Sequence, residues 1–469
     1  MSTPTCVQHV RYHSNENFET GNAFKIKLPN ATLSSNCLVL FMTYPYSATR
    51  TVSITDDASN SWPSTPTVKT DDTANNLTTA VFVLPGATAG VTVITITFDA
   101  AIYAFNPSFS EWYNVATSSP LDGSSSANLV IAGSQAGSFS TTTDGDLILH
   151  FGIDTSWGNQ YNSGYFGGGI ASIAITKQSG YTLLQASSYY LGFLQYQVQG
   201  THGATNPNCT FSGGSISGDS WSAITIALKS ASAGTAPSAT DTRVFGVHHE
   251  RTTFSASGNY KVLFPTTGNL ACMTTAYGRA GCVLNSLTGA VGGSFTVISD
   301  VVDYPQFAYK TSLTASDTES FTLNVTPGGS SEFNICFYDV VNAGAFDTSA
   351  HGSAGTFGPG SQSGLPSITP GVSAGIAIGC VGLGTGPPNG LSAPTGAVFL
   401  SGEYTGYTDL SPWESGDCYG FIYFTSAANQ NWTWSDSVST GSALATAASF
   451  AGTFGGGGSP SGNIAWITA

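Results

Sequence analysis

The feature that most constrains the fold is that the chain is written twice. VQHVRYHSNENFETGNAFKIKLP (Val7 to Pro29) lines up with VFGVHHERTTFSASGNYKVLFP (Val244 to Pro265). Each has His soon after the first Val, a Phe ahead of a Gly-Asn pair, a Lys-bearing strand and then Pro. NCLVLFMTY (Asn36 to Tyr44) faces NLACMTTAY (Asn269 to Tyr277). A third match sets EWYNVATSSPLDGSS (Glu111 to Ser125) against CFYDVVNAGAFDTSA (Cys336 to Ala350), with Glu111 opposite Cys336 and Asp122 opposite Asp347. Internal similarity at one long period implies two copies of one folded unit of roughly 230 residues. Offsets of a few residues between matches fall where surface loops absorb them.

The unit reads as β. VTVITITFDA (Val91 to Ala100) alternates β-branched residues with period two. DLILHFGI, SAITIALK, SFTLNV and GFIYFTS look alike and are bounded by Gly, Pro, Asn and Asp turns. TGSALATAASFAG (Thr440 to Gly452) has the composition of a helix, yet it aligns with the closing strand of the first copy and is read as a strand. The expected fold is therefore all-β, with two tandem antiparallel β-sandwich (jelly-roll) domains arising from duplication. The boundaries expected are 1–231 for the first domain, 232–241 for a small, polar, Pro-containing linker, 242–451 for the second domain and 452–469 for a Gly-rich arm. The arm closes on NIAWITA, apolar enough to dock as a strand through Ile464, Trp466 and Ile467.

Charge narrows the function classes. Charged residues are 8% of the chain, against about 25% in ordinary soluble domains. The net charge is −15 and there is no run of Lys or Arg. That argues against nucleic acid and against anionic membrane surfaces, both of which need clustered cations. The longest apolar run, CLVLFM, is too short to span a bilayer. The opening MSTPTCVQHVRYH has no apolar core of the kind a Sec signal needs. The expected location is a virion, or an extracellular or cell-surface setting.

The first copy resembles, over most of its length, a jelly-roll module of bacterial surface, secreted and phage-associated proteins. The stretches that carry the resemblance are NCLVLFMTY, VSITDDASNSW, TTAVFVLPGATAGVTVITITF, EWYNVATSSPLDGSSSA, TTTDGDLILHFG and GDSWSAITIALKSA. Such modules usually carry a TD-x-x-G-N turn, from which Ser61 and Trp62 after Asn60 depart slightly. The resemblance implies a fold and brings no catalytic residues with it.

Side chains with chemistry were weighed against plain structural roles. Asp122 and Asp347 are expected to accept backbone N–H groups at a turn. The acids Asp56, Asp57, Asp71, Asp72, Asp144 and Asp146 lack the density of a calcium loop and are read as turn residues. His9, His13, His248, His249 and Glu250 form the densest titratable group, without zinc spacing; a pH-sensitive contact follows if the copies pack at these strands. Cys37, Cys336 and Cys380 sit in apolar runs and read as buried thiols, while Cys272 and Cys282 leave a hairpin disulfide open. Five N-x-S/T sequons, at Asn30, Asn76, Asn208, Asn324 and Asn431, are as many as chance allows in a chain of this composition. No catalytic constellation, cofactor motif or metal site stands out. Binding falls to the aromatic loops, with Trp157, Tyr161, Tyr165, Phe166, Trp432 and Trp434 as candidate contacts to a glycan or to a protein partner.

The expected function is non-catalytic: a structural or surface protein, a virion or particle component (capsid decoration, fibre or tail-associated) that assembles with itself or other subunits. The alternatives are a carbohydrate-binding or adhesin module recognising a cell-surface glycan, and a polysaccharide-acting hydrolase.

Overall fold

The computed structural model describes residues 2–12, 21–102, 105–130, 133–156, 174–187, 191–212, 220–254, 257–277, 283–291, 293–298, 306–316, 320–326, 331–354, 360–362, 367–383, 398–399, 417–428, 430–431, 434–436 and 443–454. The protein is all-β: every element among these residues is a strand.

The first eight strands are β1 (Thr5–Arg11), β2 (Gly21–Lys27), β3 (Cys37–Pro45), β4 (Val52–Asp56), β5 (Val68–Asp72), β6 (Leu77–Leu84), β7 (Val93–Ile102) and β8 (Asn106–Tyr113). Next come β9 (Leu121–Val130), β10 (Gly133–Gln135), β11 (Phe139–Ser140), β12 (Leu147–Asp154), β13 (Ala174–Thr176), β14 (Thr182–Ala186), β15 (Phe193–Val198), β16 (Ala204–Thr205), β17 (Asn208–Ser212) and β18 (Ser220–Leu228). The second half opens with β19 (Arg243–Phe254), β20 (Gly258–Leu263), β21 (Leu270–Tyr277), β22 (Val283–Gly289), β23 (Gly293–Ser294), β24 (Thr296–Ile298), β25 (Gln306–Thr311), β26 (Ser320–Thr326) and β27 (Ser331–Val341). It closes with β28 (Ala343–Ala354), β29 (Gly360–Gln362), β30 (Ser367–Ile368), β31 (Gly375–Leu383), β32 (Val398–Phe399), β33 (Asp417–Phe424), β34 (Gln430–Asn431), β35 (Trp434–Asp436) and β36 (Ala443–Gly452). The segment 440–452, ambiguous by composition, is thus a strand from Ala443 onward.

One strand order recurs through these groups. In the first, the order β1-β8-β3-β6-β5 faces a separate sheet β2-β7-β4. In the second, β9-β18-β12-β15-β14 goes with β10-β17-β13. In the third, β19-β27-β21-β25-β24 goes with β20-β26-β22, extended by β23. The fourth repeats the larger sheet as β28-β36-β31-β33-β32, with the pair β29-β35 in place of the smaller one. The sequence repeats with a period of half the chain, whereas the strand order repeats with a period of a quarter.

The halves join in one sheet. β1 and β19 pair in parallel, the one parallel pairing among the described residues, and so make a ten-stranded sheet. The register sets His9 beside Gly246, Val10 beside Val247 and Arg11 beside His248. These pairs are the ones that the sequence repeat aligns. Because β8 and β27 lie on opposite sides of this parallel pair, one copy is turned over relative to the other, so the two faces of the sheet are covered in opposite order. In the first half, Leu38, Leu40 and Phe82 pack on the small sheet through Ile94 and Ile96, and Val39, Phe41 and Val81 pack on β12 and β18. In the second half, Met273 and Phe337 pack on the small sheet through Phe321 and Leu323. There Cys272 and Tyr338 pack on Ile378 and Phe421 from the face that β2, β4 and β7 share.

Burial on both faces explains why the central strands lack alternation. Every residue of β3 and of β6 is buried. CLVLFM is the signature of a strand with both faces covered. β7 and β26, with one face in water, keep the alternation that the sequence displays.

The third repeat match is corrected by three residues. Leu38 and Ala271 correspond through Asn36 and Asn269. Leu38 stands opposite Glu111, and Ala271 opposite Asp339. Asn114 and Asn342 then coincide, at φ of 64° and 57°. Each donates its side-chain amide to a carbonyl just ahead of its half's first strand, Thr3 for Asn114 and Asp241 for Asn342. Glu111 therefore answers to Asp339, not to Cys336. Both faces of this strand are buried around Phe337 and Tyr338, so aromatic residues do not fix the register as alternation would.

Candidate functional site

The seam between the halves collects the polar groups that the cores exclude. Glu111 is fully buried on β8. Its Oε1 accepts the Leu33 N–H at 2.8 Å and the Asn36 amide at 2.7 Å, and its Oε2 accepts the Gln8 amide at 2.7 Å. Burial pushes its carboxyl above the usual carboxylate range, against the pull of those bonds. Asp339 takes the same part in the second half, accepting the N–H groups of Thr267 and Gly268 at 2.6 and 2.7 Å. Desolvation raises it to about 7.

From Gln8 the network crosses between halves. Gln8 Oε1 accepts the Asn30 N–H, and Asn30 Nδ2 donates to the Val244 carbonyl at 2.6 Å. Tyr423 closes the loop, donating to Asn30 Oδ1 at 3.0 Å and accepting the Val244 N–H at 2.8 Å. Asn36 clamps the connecting segment, giving Nδ2–H to the Thr235 carbonyl and taking the Thr235 N–H. Asn269, its counterpart, grips Ala343 the same way.

A cleft of about 70 Å³ opens where these elements meet, lined by Asn30, Pro237, Ser238, Asp241, Arg243 and Tyr423 among others. Arg243 donates to the Val7 carbonyl at 2.5 Å and lies over the Phe245 ring, 5.6 Å from its centroid. Burial lowers its pKa, opposed by the more distant Cys6, Tyr423, Glu111 and Asp339.

His9 lies on the other face of the seam. Its ring meets Phe245 edge-on at 5.1 Å, and Nδ1 is 3.4 Å from the Gln185 amide. Burial first, and then the neighbouring His248, lower its pKa to about 3, so it is neutral. The copies do pack at these strands, but His9, held neutral, supplies no change of charge between pH 5 and 8. The side chains of His13 and Glu250 lie outside the described residues.

The turn reading holds at Asp56, Asp57, Asp72 and Asp144, whereas Asp71, within β5, accepts the Lys69 ammonium at 3.0 Å and the Thr78 hydroxyl at 2.8 Å across the strands. Asp56 accepts the N–H groups of Ala58 and Asn60, the Asn60 amide and the Trp62 indole. Asp57 takes Thr92 and Val93, Asp72 takes Asn75 and Thr155, and Asp144 takes His202. Asp122 accepts from the Thr142 and Thr143 backbone, and Asp347 from Gly371 N–H at 2.9 Å and Ser449 Oγ at 2.9 Å. One feature was not legible in sequence: Asp146 meets Asp122. Burial and the adjacent Asp122 raise Asp146 to about 7. Despite its own desolvation, hydrogen bonds from Thr142 hold Asp122 at about 2. The pair lies beside Lys229, whose Nζ is 3.9 Å from Asp122.

Trp157, Tyr161, Tyr165, Phe166 and Trp432 lie outside the described residues, as do Ile464, Trp466 and Ile467. The backbone of Trp434 pairs with Gln362, and its side chain is outside them. The hairpin disulfide is not made: Cys272 is a free buried thiol in β21. Cys37, Cys336 and Cys380 are buried thiols, as their apolar runs imply. Among the described residues no three His, Cys, Asp or Glu side chains are placed to hold a metal ion, and no helix is long and apolar enough to cross a membrane.

No family model matches the chain, and no curated protein does. Three solved structures illustrate how remote the structural likenesses are. A triple jelly-roll turret protein of an archaeal virus is 9% identical at a TM-score of 0.17, covering 94% of this chain and 98% of that one. The ANX1 ectodomain of Arabidopsis thaliana is 11% identical at 0.15, covering 71% and 96%. The protein YhaK of Escherichia coli is 8% identical at 0.13, covering 47% and 88%. At such TM-scores the likenesses bear on neither fold nor function.

Proposed function

We propose that this chain is a non-catalytic structural protein of a particle surface, a virion component, that assembles with copies of itself or with other subunits outside a cell. The observation that carries the reading is the recurring strand order. A first strand paired with the eighth and a third paired with the sixth, over a second sheet of second, seventh and fourth, is the order of nested Greek keys, a jelly roll. On this reading the chain is a duplicated pair of jelly rolls, four in all, fused back to back and edge to edge.

Polar side chains on the described strands brace turns and seams, which suits a load-carrying shell. The arm 452–469, with Ile464, Trp466 and Ile467, is the proposed contact to a neighbour, where an added strand satisfies a sheet edge. Light scattering of the full chain at micromolar concentration tests the reading. A defined oligomer is expected, and a strict monomer at every concentration counts against it. A glycan array read with Trp157, Trp432 and Trp434 each changed to Ala separates it from a carbohydrate-binding module: array binding lost in those variants favours the glycan reading.

A further inference from the structure

The seam cleft holds a guanidinium and rigid polar walls. Asn30 and Tyr423 are bonded to each other and to both backbone groups of Val244, so the wall they form is fixed before anything binds. The opposite wall, the segment from Pro237 to Thr242, is held by Asn342, which donates to the Ala239 and Asp241 carbonyls and accepts from Thr242. Arg243 stands between them. It makes one hydrogen bond, to Val7, and no carboxylate among the described residues lies within ion-pair distance of it. A guanidinium carries five N–H donors in a planar fork that matches a carboxylate. Holding that charge out of water with no carboxylate in contact is costly, and Glu111 and Asp339 act on it only from further off.

We propose that the seam cleft binds a carboxylate, with Arg243 as the group that takes its charge and Ser238 at its rim. The volume, about 70 Å³, admits a carboxylate head and not a whole sugar ring. Asp241 also lines the cleft, and its negative charge selects a monoanion over phosphate. The bound group joins the 30–33 loop of the first half to the start of β19 in the second, so it clips the halves together. The ligand is a free small monocarboxylic acid, and its entry is framed by Thr453, bonded to Thr242, and by the Phe454 ring, 5.9 Å from Tyr423.

The test is calorimetric titration of the full chain with acetate and with phosphate at constant ionic strength. Acetate is expected to bind, and Arg243→Gln to weaken it about tenfold or more. Ser238→Trp, at an exposed linker residue, blocks the cleft without touching the core. Failure of acetate to bind, binding unaffected by both substitutions, or phosphate binding as tightly as acetate overturns the proposal.

Discussion

Glu111 and Asp339 are one position of the fold, filled by two different acids. Each stands opposite the counterpart residue of the neighbouring strand, Leu38 in one half and Ala271 in the other. Each accepts backbone N–H groups from the loop that leads into that strand. A buried acid there ties the eighth strand of its unit to the approach of the third. Glu111→Ala strands the Leu33 N–H and one bond of Asn36, while Gln8 keeps its bond to the Asn30 carbonyl. Each unsatisfied buried donor costs ~1–3 kcal/mol, so a loss of about 2–4 kcal/mol is expected. Urea unfolding of the two chains measures it. Glu111→Gln, which keeps one acceptor oxygen, should cost less.

Gly246 faces His9 across the parallel seam. A Cβ built at Gly246 falls 2.4 Å from His9 Nε2 and 2.5 Å from its Cε1. Gly246→Ala is expected to destabilise the chain by ~1–3 kcal/mol through overpacking. Most of that cost should vanish in the His9→Ala background, because the atoms that clash are gone. A double-mutant cycle on thermal unfolding reads the coupling. Additive effects would mean that the halves do not meet in this register.

Much of this was legible in the sequence, and the limits have physical causes. Strand content was read from alternation at β7 and β26, where one face is wet. The acids at turns were legible because Asp before a bend has few other uses. The Glu111–Asp339 correspondence was hidden because its strand is covered on both faces, which removes the alternation that fixes register. The quarter-chain strand order was hidden for a similar reason: topology constrains where strands pair, and many apolar sequences meet that need. The Asp122–Asp146 meeting joins a residue of β9 to the one just before β12, and nothing local announces it.

That meeting makes stability depend on pH in a predictable direction. The folded pKa of Asp146 is raised from 3.8 to about 7. A carboxyl with a raised folded pKa contributes stability that is complete below its unfolded value and is lost as pH rises through the folded one. Asp146→Asn mimics the protonated form and lacks that loss. The wild type should therefore lose ground to Asp146→Asn steadily between about pH 4 and 7 and no further above. Melting temperatures of both chains across pH 4 to 8 test this, and parallel curves would refute it.

Thiol reactivity should report the closed state of all four sheet groups at once. Cys6, Cys37, Cys209, Cys272, Cys336 and Cys380 are buried thiols. They are spread over β1, β3, β17, β21, β27 and β31. Burial raises Cys37 and Cys336 to about 12 and Cys6, Cys209 and Cys272 further, so little thiolate exists at these five at neutral pH. The thiolate is the reactive form, and each sulfur is also sealed from solvent. In the native chain these six should resist an aromatic disulfide reagent for hours, while in denaturant all should react within minutes. Peptide mapping by mass spectrometry assigns each modified residue. Early labelling confined to Cys6, with the rest protected, would show that the β1–β19 seam opens before the cores do.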